Sequence, residues 1–337
     1  MKHRNVAFSK DSRNLFFHIL TQCNLSCRHC YINPSQHGTA VLDMATIRDW
    51  LGLFGDKAAS TNLVILGGEP TLHPDLAAMV RTAREMAFKS ITIDTNGYLF
   101  HDILEKITPQ DVDFISFSLD GATEETNDTI RGKGCYKTVF KGLRQAVKKG
   151  FSCSMIYTVS ENNIHELEKM PALVKTLGLK HFFIQVIGMR GESASPQQNT
   201  ARPPQLQVDR TTWRRVVPAV AEEIARQGIA VTYPKVFLDD ADPFECAGTC
   251  ADNYFVFPNG RVYQCPICED FALHAFEIRD KALVPTPKIN EQDLFSLTIP
   301  EGCVMNKMIQ PQNLTYDETG IPLYRIACCM LKQELNI

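Results

Sequence analysis

The feature that most constrains the fold is a repeated alternation of short apolar runs with amphipathic stretches. Six runs rich in β-branched and aromatic residues have the character of buried strands, at 15–20, 62–66, 91–94, 114–119, 153–158 and 182–186. Helical patterns separate most of them, for example at 75–87, 137–149 and 164–177. Strand and helix alternating six times predicts a parallel sheet with right-handed crossovers, either doubly wound or curled into a barrel.

Length and composition fit one large α/β unit with an appended segment. The chain has 337 residues, of which 44% are hydrophobic, and this is enough for a sizeable core. A net charge of −3 lacks the basic excess that nucleic-acid binding requires. We find no secretion signal and no stretch of about 18 apolar residues that could span a bilayer. We therefore expect a cytoplasmic protein with neither a nucleic-acid nor a membrane partner.

The cysteines fall into two separate groups. There are 12 in the chain, and without a secretion signal they indicate metal or iron–sulfur ligation rather than disulfides. Three lie within 23–30 and seven lie within 246–329, so two cysteine centres are the simplest account. We interpret the remaining two, Cys135 and Cys153, as ordinary buried thiols.

Each predicted strand is followed by a short motif rich in glycine, asparagine or cysteine. After the cysteines of 23–30 come GGEP (67–70), TNG (95–97), SLDG (118–121), TVSENN (158–163) and IGMRGE (187–192). The carboxyl ends of parallel strands meet at one edge of a sheet, where ligands and chemistry collect. We therefore place the functional site at this edge. The candidate general bases there are Asp120, Glu161 and Glu192, among which the sequence does not choose.

The spacing C-x3-C-x2-C at 23–30 supplies three thiolates, one fewer than a closed site uses. A structural zinc ion takes four ligands, and a [4Fe–4S] cluster usually takes four cysteines. Three cysteines would leave one iron open to a ligand that is not protein. The alternatives are zinc with a distant fourth ligand, or thiols that are merely packed in a core.

C-x3-C-x2-C after the first strand, with GGEP after the second, resembles the radical S-adenosylmethionine (radical SAM) superfamily. The resemblance covers roughly residues 15–190 and implies a partial (β/α)6 barrel of the TIM type. We expect this barrel at 1–235 and a small cysteine-rich domain at 236–337. The resemblance implies reductive cleavage of S-adenosylmethionine (SAM) to a 5′-deoxyadenosyl radical, which abstracts hydrogen from a substrate. A low-potential donor such as flavodoxin or ferredoxin would supply the electron.

The same resemblance implies roles for individual residues. Cys23, Cys27 and Cys30 would hold three irons of a [4Fe–4S] cluster, whose fourth iron binds the amino and carboxylate groups of SAM. The further residues implied to contact SAM or the cluster are His29, Gly67, Gly68, Glu69, Asn96, Ser118, Arg131 and Ile184. In this account the glycines permit close backbone approach, Glu69 faces the methionyl ammonium, and Arg131 suits a carboxylate.

The stretch from Cys246 to Cys265 resembles the opening of a SPASM domain, or the shorter twitch domain, both of which hold auxiliary [4Fe–4S] clusters. FPNGRVYQC (257–265) predicts two strands joined by an Asn-Gly hairpin turn. The later cysteine run of a full SPASM domain is absent, so we expect at least one auxiliary cluster of twitch type. Its expected ligands are Cys246, Cys250, Cys265 and Cys328, and the rivals for the fourth place are Cys268, Cys303 and Cys329. A zinc knuckle is the alternative.

Two substrate classes follow from the resemblance. One is a small polar metabolite that is oxidised, epimerised, decarboxylated or rearranged, and the other is a peptide or protein that is modified by a maturase. Peptide modifiers often carry an N-terminal leader-binding domain, whereas the first strand here starts near residue 15, which favours the metabolite. A non-catalytic electron-transfer iron–sulfur protein is a third hypothesis. GGEP argues against it, because an electron carrier needs no SAM site.

Overall fold

A computed structural model of the protein describes residues 6–194 and 205–336. Its strands are β1 (Arg13–His18), β2 (Thr61–Leu66), β3 (Ser90–Thr95), β4 (Phe114–Ser118), β5 (Cys153–Val159), β6 (His181–Val186), β7 (Ala230–Pro234), β8 (Phe237–Leu238), β9 (Asp252–Val256), β10 (Arg261–Tyr263), β11 (Phe276–Arg279), β12 (Ala282–Pro285), β13 (Arg325–Ile326) and β14 (Lys332–Leu335).

The α-helices are α1 (Pro34–His37), α2 (Met44–Gly52), α3 (Leu76–Glu85), α4 (Ile103–Lys106), α5 (Glu124–Arg131), α6 (Cys135–Lys148), α7 (Ile164–Leu167), α8 (Met170–Lys175), α9 (Arg210–Ala225), α10 (Ala247–Cys250), α11 (Glu291–Phe295) and α12 (Val304–Ile309). Short 3-10 turns lie at Val6–Phe8, Gly55–Ser60, Pro70–Leu72, Phe100–Asp102, Gly191–Ala194, Cys268–Asp270 and Pro311–Asn313. None of these helices is long and apolar enough to cross a bilayer.

The parallel sheet follows the chain. The strands β1 to β7 lie side by side in sequence order and pair in parallel. The first six agree with the predicted runs to within two residues at each end, which confirms the α/β barrel-like architecture. The seventh strand, β7, was not predicted. It extends the parallel sheet beyond the six strands that the sequence pattern indicated.

The C-terminal segment extends the same sheet at both edges. β9 pairs in parallel with β1, where Arg13 lies opposite Asp252. β14 pairs antiparallel with β7, where Lys332 lies opposite Pro234. The predicted hairpin is confirmed, because β10 folds back on β9. The predicted boundary at 235/236 falls between β7 and β8, and residues beyond it complete the sheet on either side of the parallel strands.

The main apolar core lies between the outer face of the sheet and the helices. Side chains alternate between the two faces of a strand, and the outward ones, such as Ile65, Ile93 and Phe117, are fully buried. They form one cluster with helix residues such as Met79 of α3 and Leu143 of α6. The remaining side chains of each strand point to the inner face of the sheet.

A second apolar cluster joins the two cysteine regions of the sequence. It contains Ile32 from the first region and Ile267, Cys303 and Cys328 from the second, with Phe257 of the hairpin between them. The thiols of Cys30 and Cys265 lie at its margin. The two cysteine groups, which are more than 200 residues apart in sequence, therefore pack against a common apolar body.

Candidate functional site

The cysteine loop, residues 21–31, lies at the carboxyl end of β1. Leu25 N donates to Cys23 Sγ at 3.4 Å, and Cys30 N donates to Cys27 O at 3.1 Å. Burial raises the pKa of the Cys27 thiol to about 12, and the nearby Cys30 and Cys23 add to the rise while Arg131 opposes it. The three thiols therefore lie close enough together to interact electrostatically.

The donor set of this loop suits an iron–sulfur cluster. Three thiols within eight residues are soft ligands, of the kind that such clusters take. Across residues 6–194 and 205–336, no three His, Cys, Asp or Glu side chains are arranged to share a metal ion. Loading would therefore require the thiols of Cys23, Cys27 and Cys30 to rotate toward a common point.

The Gly-Gly-Glu motif after β2 is joined to the cysteine loop by its backbone. Gly68 N donates to Leu20 O at 3.2 Å, and Glu69 N donates to Gln22 O at 2.9 Å. A Cβ atom added at Gly68 would lie 2.3 Å from Gln22 O, so only glycine allows this contact. Gly67 is similar, since a Cβ atom there would lie 2.8 Å from Leu20 O. The approach of these glycines to SAM stays a prediction.

Glu69 connects the ends of β2 and β3. Its buried carboxylate accepts from Thr71 N at 3.0 Å, Thr71 Oγ1 at 2.6 Å and Thr95 Oγ1 at 2.8 Å, and from Asn96 N at 2.7 Å. Burial raises the pKa of Glu69, and these hydrogen bonds act in the opposite direction. The carboxylate thus has four protein donors, and its contact with the methionyl ammonium stays a prediction.

Asn96, in the TNG motif, reaches the cysteine loop. Its Nδ2 donates to Asn24 Oδ1 at 2.8 Å and lies 3.7 Å from Cys23 Sγ. Its Oδ1 accepts from Tyr98 N at 3.2 Å, which fixes the orientation of the amide. The structure therefore brings this predicted site residue to the first cysteine of the loop.

A buried ionic cluster connects the cysteine loop to the end of β4. Asp120 Oδ2 lies 2.8 Å from His29 Nε2 and 2.6 Å from Arg131 Nε, and Asp120 Oδ1 accepts from Thr158 N at 2.7 Å. Burial alone would raise the pKa of Asp120, but Arg131 and His29 lower it to about 2. Such a low pKa does not suit a general base at neutral pH. Arg131 and His29, both predicted site residues, share this carboxylate as their partner.

Arg131 also contacts the loop through its backbone. The carbonyl oxygen of Arg131 accepts from Cys27 Sγ at 3.8 Å, and the preceding carbonyl, of Ile130, accepts from Arg28 N at 3.0 Å. The C-terminal end of α5 therefore holds the middle of the cysteine loop in place. The sequence indicated Arg131 as a ligand of SAM and left Asp120 as one of three candidate bases, so the ionic cluster itself was missed.

The other predicted residues are placed differently. Ser118 ends β4 and is half-buried on the inner face. Ile184 of β6 is fully buried in the main core beneath the helices, so it is not grouped with the cysteine loop. Glu192 N donates to Cys30 O at 2.8 Å, while Glu161 N donates to Leu206 O at 2.9 Å.

The second cysteine group surrounds one cavity. The cavity is open to solvent, and its empty volume, including that solvent, is about 460 Å³. Five thiols line it: Cys246, Cys265, Cys303, Cys328 and Cys329. Burial raises the pKa of Cys303 to about 12, with Cys265 and Cys246 contributing. Cys250, at the end of α10, packs against the same apolar cluster and is not part of this lining. Cys303 was only a rival for the fourth place in the sequence prediction.

Glu291 holds the loop that carries Cys265. Its buried carboxylate accepts from Gln264 N at 2.7 Å, Cys265 N at 2.9 Å and Ala275 N at 3.1 Å. Burial raises the pKa of Glu291 to about 7, and the three backbone donors act in the opposite direction. No sequence motif indicated this residue, because its partners are brought to it only by the folding of the segment.

Arg190 bridges the two cysteine regions. Its Nη1 donates to Pro266 O at 2.5 Å and lies 3.3 Å from Glu269 Oε2. Its guanidinium carbon lies 4.8 Å from the centre of the Tyr31 ring, and Tyr31 Oη lies 2.8 Å from His18 Nε2. Arg190 therefore contacts the residue after Cys30 and the residue after Cys265 at the same time.

Comparison with known proteins places the first half of the chain in a family. Residues 18–174 match the Radical SAM superfamily. The AdoMet-dependent heme synthase of Methanosarcina barkeri is 31% identical over 196 residues, 56% of this chain and 55% of that protein. The probable GTP 3′,8-cyclase of Saccharolobus solfataricus is 22% identical over 278 residues, 80% of this chain and 88% of that protein. The chain spans 55% and 41% of the length of the first two curated relatives that it matches.

Solved structures with low sequence identity share the fold. Native anSMEcpe with bound AdoMet has a TM-score of 0.59 at 17% identity, covering 91% of this chain and 85% of its own. Streptococcus suis SuiB bound to the precursor peptide SuiA has a TM-score of 0.60 at 15% identity, covering 75% of this chain and 59% of its own. The solved structures show the shared fold, and the match over residues 18–174, which contain the cysteine loop and the Gly-Gly-Glu motif, identifies this part of the chain as a radical SAM domain.

Proposed function

We propose that this protein is a radical SAM enzyme that abstracts a hydrogen atom from a small polar metabolite. The observation that carries the proposal is the contact of the cysteine loop with Gly68 and Glu69, above a sheet whose inner face is accessible. When bound, a [4Fe–4S] cluster and SAM would together supply a 5′-deoxyadenosyl radical at this edge, given an electron from a flavodoxin or ferredoxin.

The protein residues have positioning roles in this proposal. Cys23, Cys27 and Cys30 would hold the cluster. Asn96 touches the loop next to Cys23, and the Asp120 ionic cluster fixes its middle, so the geometry of the ligands is set from both sides. Rigid support of this kind is what a reactive site requires, because the protein supplies orientation and exclusion of water while the cofactor carries the difficult step.

We also propose an auxiliary iron–sulfur group in the C-terminal cavity, with Cys246, Cys265, Cys303 and Cys328 as ligands. The support is that these four thiols line the same cavity. Cysteine-only sites of this kind suit iron–sulfur clusters. Cys250, which the hairpin spacing favoured, is the alternative to Cys303. Such a group would accept the electron left after hydrogen abstraction or contact the substrate directly.

The substrate class rests on two kinds of support. Two curated relatives that match 56% and 80% of this chain, the heme synthase and the probable GTP cyclase, carry names of small-molecule enzymes. The inner face of the sheet combines apolar side chains such as Ile156 and Phe183 with polar ones such as Ser116 and Ser154, as ligand pockets do. The alternative is a peptide or protein maturase, which the peptide-bound SuiB and anSMEcpe structures bring into consideration. A non-catalytic electron carrier is a remote alternative, because it would not need the SAM site.

A fractionated cell extract decides between these classes. The anaerobically reconstituted chain is incubated with SAM, a strong reductant and extract split by ultrafiltration, and 5′-deoxyadenosine is measured. Stimulation by the small-molecule fraction supports the proposal. Stimulation by the polypeptide fraction alone would contradict the small-metabolite proposal and favour the peptide or protein maturase. Iron loading without any 5′-deoxyadenosine in either fraction would favour the electron carrier.

A further inference from the structure

Four polar residues form a row across the inner face of the sheet. The strand register places Asp94 of β3 beside Ser116 of β4, Ser116 beside Ser154 of β5, and Ser154 beside His181 of β6. Paired positions on parallel strands point to the same face, and neighbouring strands are about 4.8 Å apart, so this interior row is about 14 Å long. The row is continuous, with no apolar side chain at these four positions.

The interior row is recessed, and only its two ends, Asp94 and His181, are half-buried. Asp94 lies two residues before Asn96, which places it about 7 Å below the edge where Asn96 meets the cysteine loop. Around the row, the inward side chains of Ser118, Thr158 and Phe183 are half-buried, and Gln185, near the carboxyl end of β6, is exposed. The exposed Gln185 indicates a chamber that opens at the carboxyl edge of the sheet, above the row.

Two hydroxyls in the row lack partners. Ser116 and Ser154 are each only 1% exposed, and neither Oγ has a hydrogen-bond partner in the described part of the chain. Ser116 lies close enough to Asp94 to lower the pKa of its carboxyl group, although its Oγ makes no hydrogen bond of normal geometry. Buried hydroxyls are almost always paired, so two adjacent unpaired ones point to a ligand or ordered solvent at this place.

A lysine from the last strand faces the row. Lys332 of β14 interacts electrostatically with Asp94 and with His181, and both Lys332 and Asp94 are half-buried. No ion pair joins Lys332 to Asp94 among the residues that the structure describes. A carboxylate and an ammonium that face one chamber without touching leave room for a molecule that contacts both.

The ionisation of these groups fits a binding role. Burial raises the pKa of Asp94 to about 7, against the effects of Ser116 and Lys332. Burial, together with Lys332, lowers the pKa of His181 to about 4, so the imidazole is neutral near pH 7. Burial also lowers the pKa of Lys332, and the attraction of Cys329, Glu334 and Asp94 opposes this. Lys332 is the basic group of the chamber, and Asp94 is a hydrogen-bond acceptor that is stabilised by a donor.

We propose that the interior row is the substrate site, and that it takes a small molecule carrying a carboxylate next to an ammonium or hydroxyl group. The carboxylate would pair with Lys332, the neighbouring donor would contact Asp94, and Ser116 and Ser154 would complete the hydrogen bonding. This inference rests on the proposed function and names the substrate class for it. α-Amino and α-hydroxy acids have this arrangement.

Binding of matched probes to the reconstituted full-length chain tests the site. The probes are L-alanine and L-lactate, which have both groups, propionate, which lacks the donor, and L-alaninamide, which lacks the carboxylate. Saturation-transfer NMR detects weak binding. We expect L-alanine and L-lactate to bind, and propionate and L-alaninamide to bind roughly tenfold more weakly. Lys332→Met should lose the preference for L-alanine over L-alaninamide, because Lys332 is the proposed partner of the carboxylate. Asp94→Asn should weaken the binding of L-alanine and L-lactate until it is similar to that of propionate.

Controls separate this inference from the proposed function. Lys175→Met, at an exposed position on α8, should bind the probes like the wild type, and the iron content of every variant is measured to exclude misfolding. Absence of binding, or binding that survives both Lys332→Met and Asp94→Asn, would overturn the inference. Equal binding of tri-L-alanine would also overturn it, because a polypeptide end would then fit. The proposed function fails separately, if the wild type forms no 5′-deoxyadenosine.

Discussion

The imidazole of His29 lies 2.8 Å from the carboxylate of Asp120, although the two residues are 91 positions apart in the chain. The same carboxylate pairs with Arg131 at 2.6 Å. Because His29 immediately precedes Cys30, this contact fixes the end of the cysteine loop to the end of β4. Asp120 therefore links the end of β4 to the cysteine loop through two side chains, His29 and Arg131.

Replacing Asp120 with asparagine tests this link. Asp120→Asn keeps the size of the side chain but leaves Arg131 buried without its counter-ion, which we expect to cost roughly 3 kcal/mol in the free energy of unfolding near pH 7. The pKa of Asp120 is lowered in the folded state to about 2. Its contribution is therefore complete above its ordinary pKa and is lost as the pH falls through the folded value.

Urea denaturation at several pH values measures this effect. The difference between wild type and Asp120→Asn should be constant from pH 7 to pH 5 and should shrink below about pH 4. Glu105→Gln is the matched control, because it breaks an exposed ion pair with Lys149 and should cost less than about 1 kcal/mol. Equal losses in the two variants would show that Asp120 has no special structural role.

The contact between Gly68 and the cysteine loop depends on the missing side chain. Gly68→Ala would place a Cβ atom 2.3 Å from Gln22 O, so backbone must move, and we expect a loss of roughly 1–3 kcal/mol. Gly52→Ala is the control, since nothing lies within 4 Å of its added Cβ at the end of α2, and it should be neutral or stabilising by roughly 0.5–1 kcal/mol. The midpoints of thermal unfolding of Gly68→Ala and Gly52→Ala are then compared. Similar midpoints would show that the contact at Gly68 does not require the absence of a side chain.

The sequence predicted the elements whose signals are local. The six strands from β1 to β6 are short buried runs, and their apolar, β-branched character is visible in each segment. β7 was missed because its sequence, AVTYP, is short and ends in proline. The pairing of β9 with β1 joins Arg13 to Asp252, 239 positions apart, and no local pattern reports such a contact.

The site was predictable only where a motif carried it. The cysteine spacing and the Gly-Gly-Glu motif indicated the loop that we propose to bind the cluster. The roles of Asp120, Glu291 and Arg190 were missed, because each depends on partners from distant segments. The interior row depends on strand register, and a slip of one residue in any strand would turn that side chain to the other face.

The C-terminal cavity predicts which thiols hold iron. Cys303→Ala should lower the iron content of the reconstituted chain by at least roughly one iron per molecule, because it removes one of the four proposed thiolate ligands. Cys250→Ala should retain more iron than Cys303→Ala, since Cys250 does not line the cavity. Cys153→Ala, in the buried part of β5, is the control and should load normally. If Cys250→Ala retained less iron than Cys303→Ala, the ligand set expected from the sequence, with Cys250 in place of Cys303, would be favoured.

Arg190 predicts coupling between the two cysteine regions. Arg190→Met removes a charge-assisted hydrogen bond to Pro266 and a cation–π contact with Tyr31, and we expect a loss of roughly 2 kcal/mol. Hydrogen exchange should rise in both the cysteine loop and the 264–270 segment, because Arg190 contacts both. Arg226→Met, which breaks an exposed ion pair with Glu222, should change neither. Faster exchange in only one region would contradict a bridging role.

The central claim is that the cysteine loop and the adjoining Gly-Gly-Glu motif form a site for SAM cleavage. The most direct measurement is 5′-deoxyadenosine formation by the anaerobically reconstituted full-length chain with SAM and dithionite, for wild type, Cys27→Ala and Cys153→Ala. We expect product from the wild type and from Cys153→Ala, and none above background from Cys27→Ala. An iron-loaded wild type that forms no 5′-deoxyadenosine, or a Cys27→Ala variant as active as the wild type, would contradict the account.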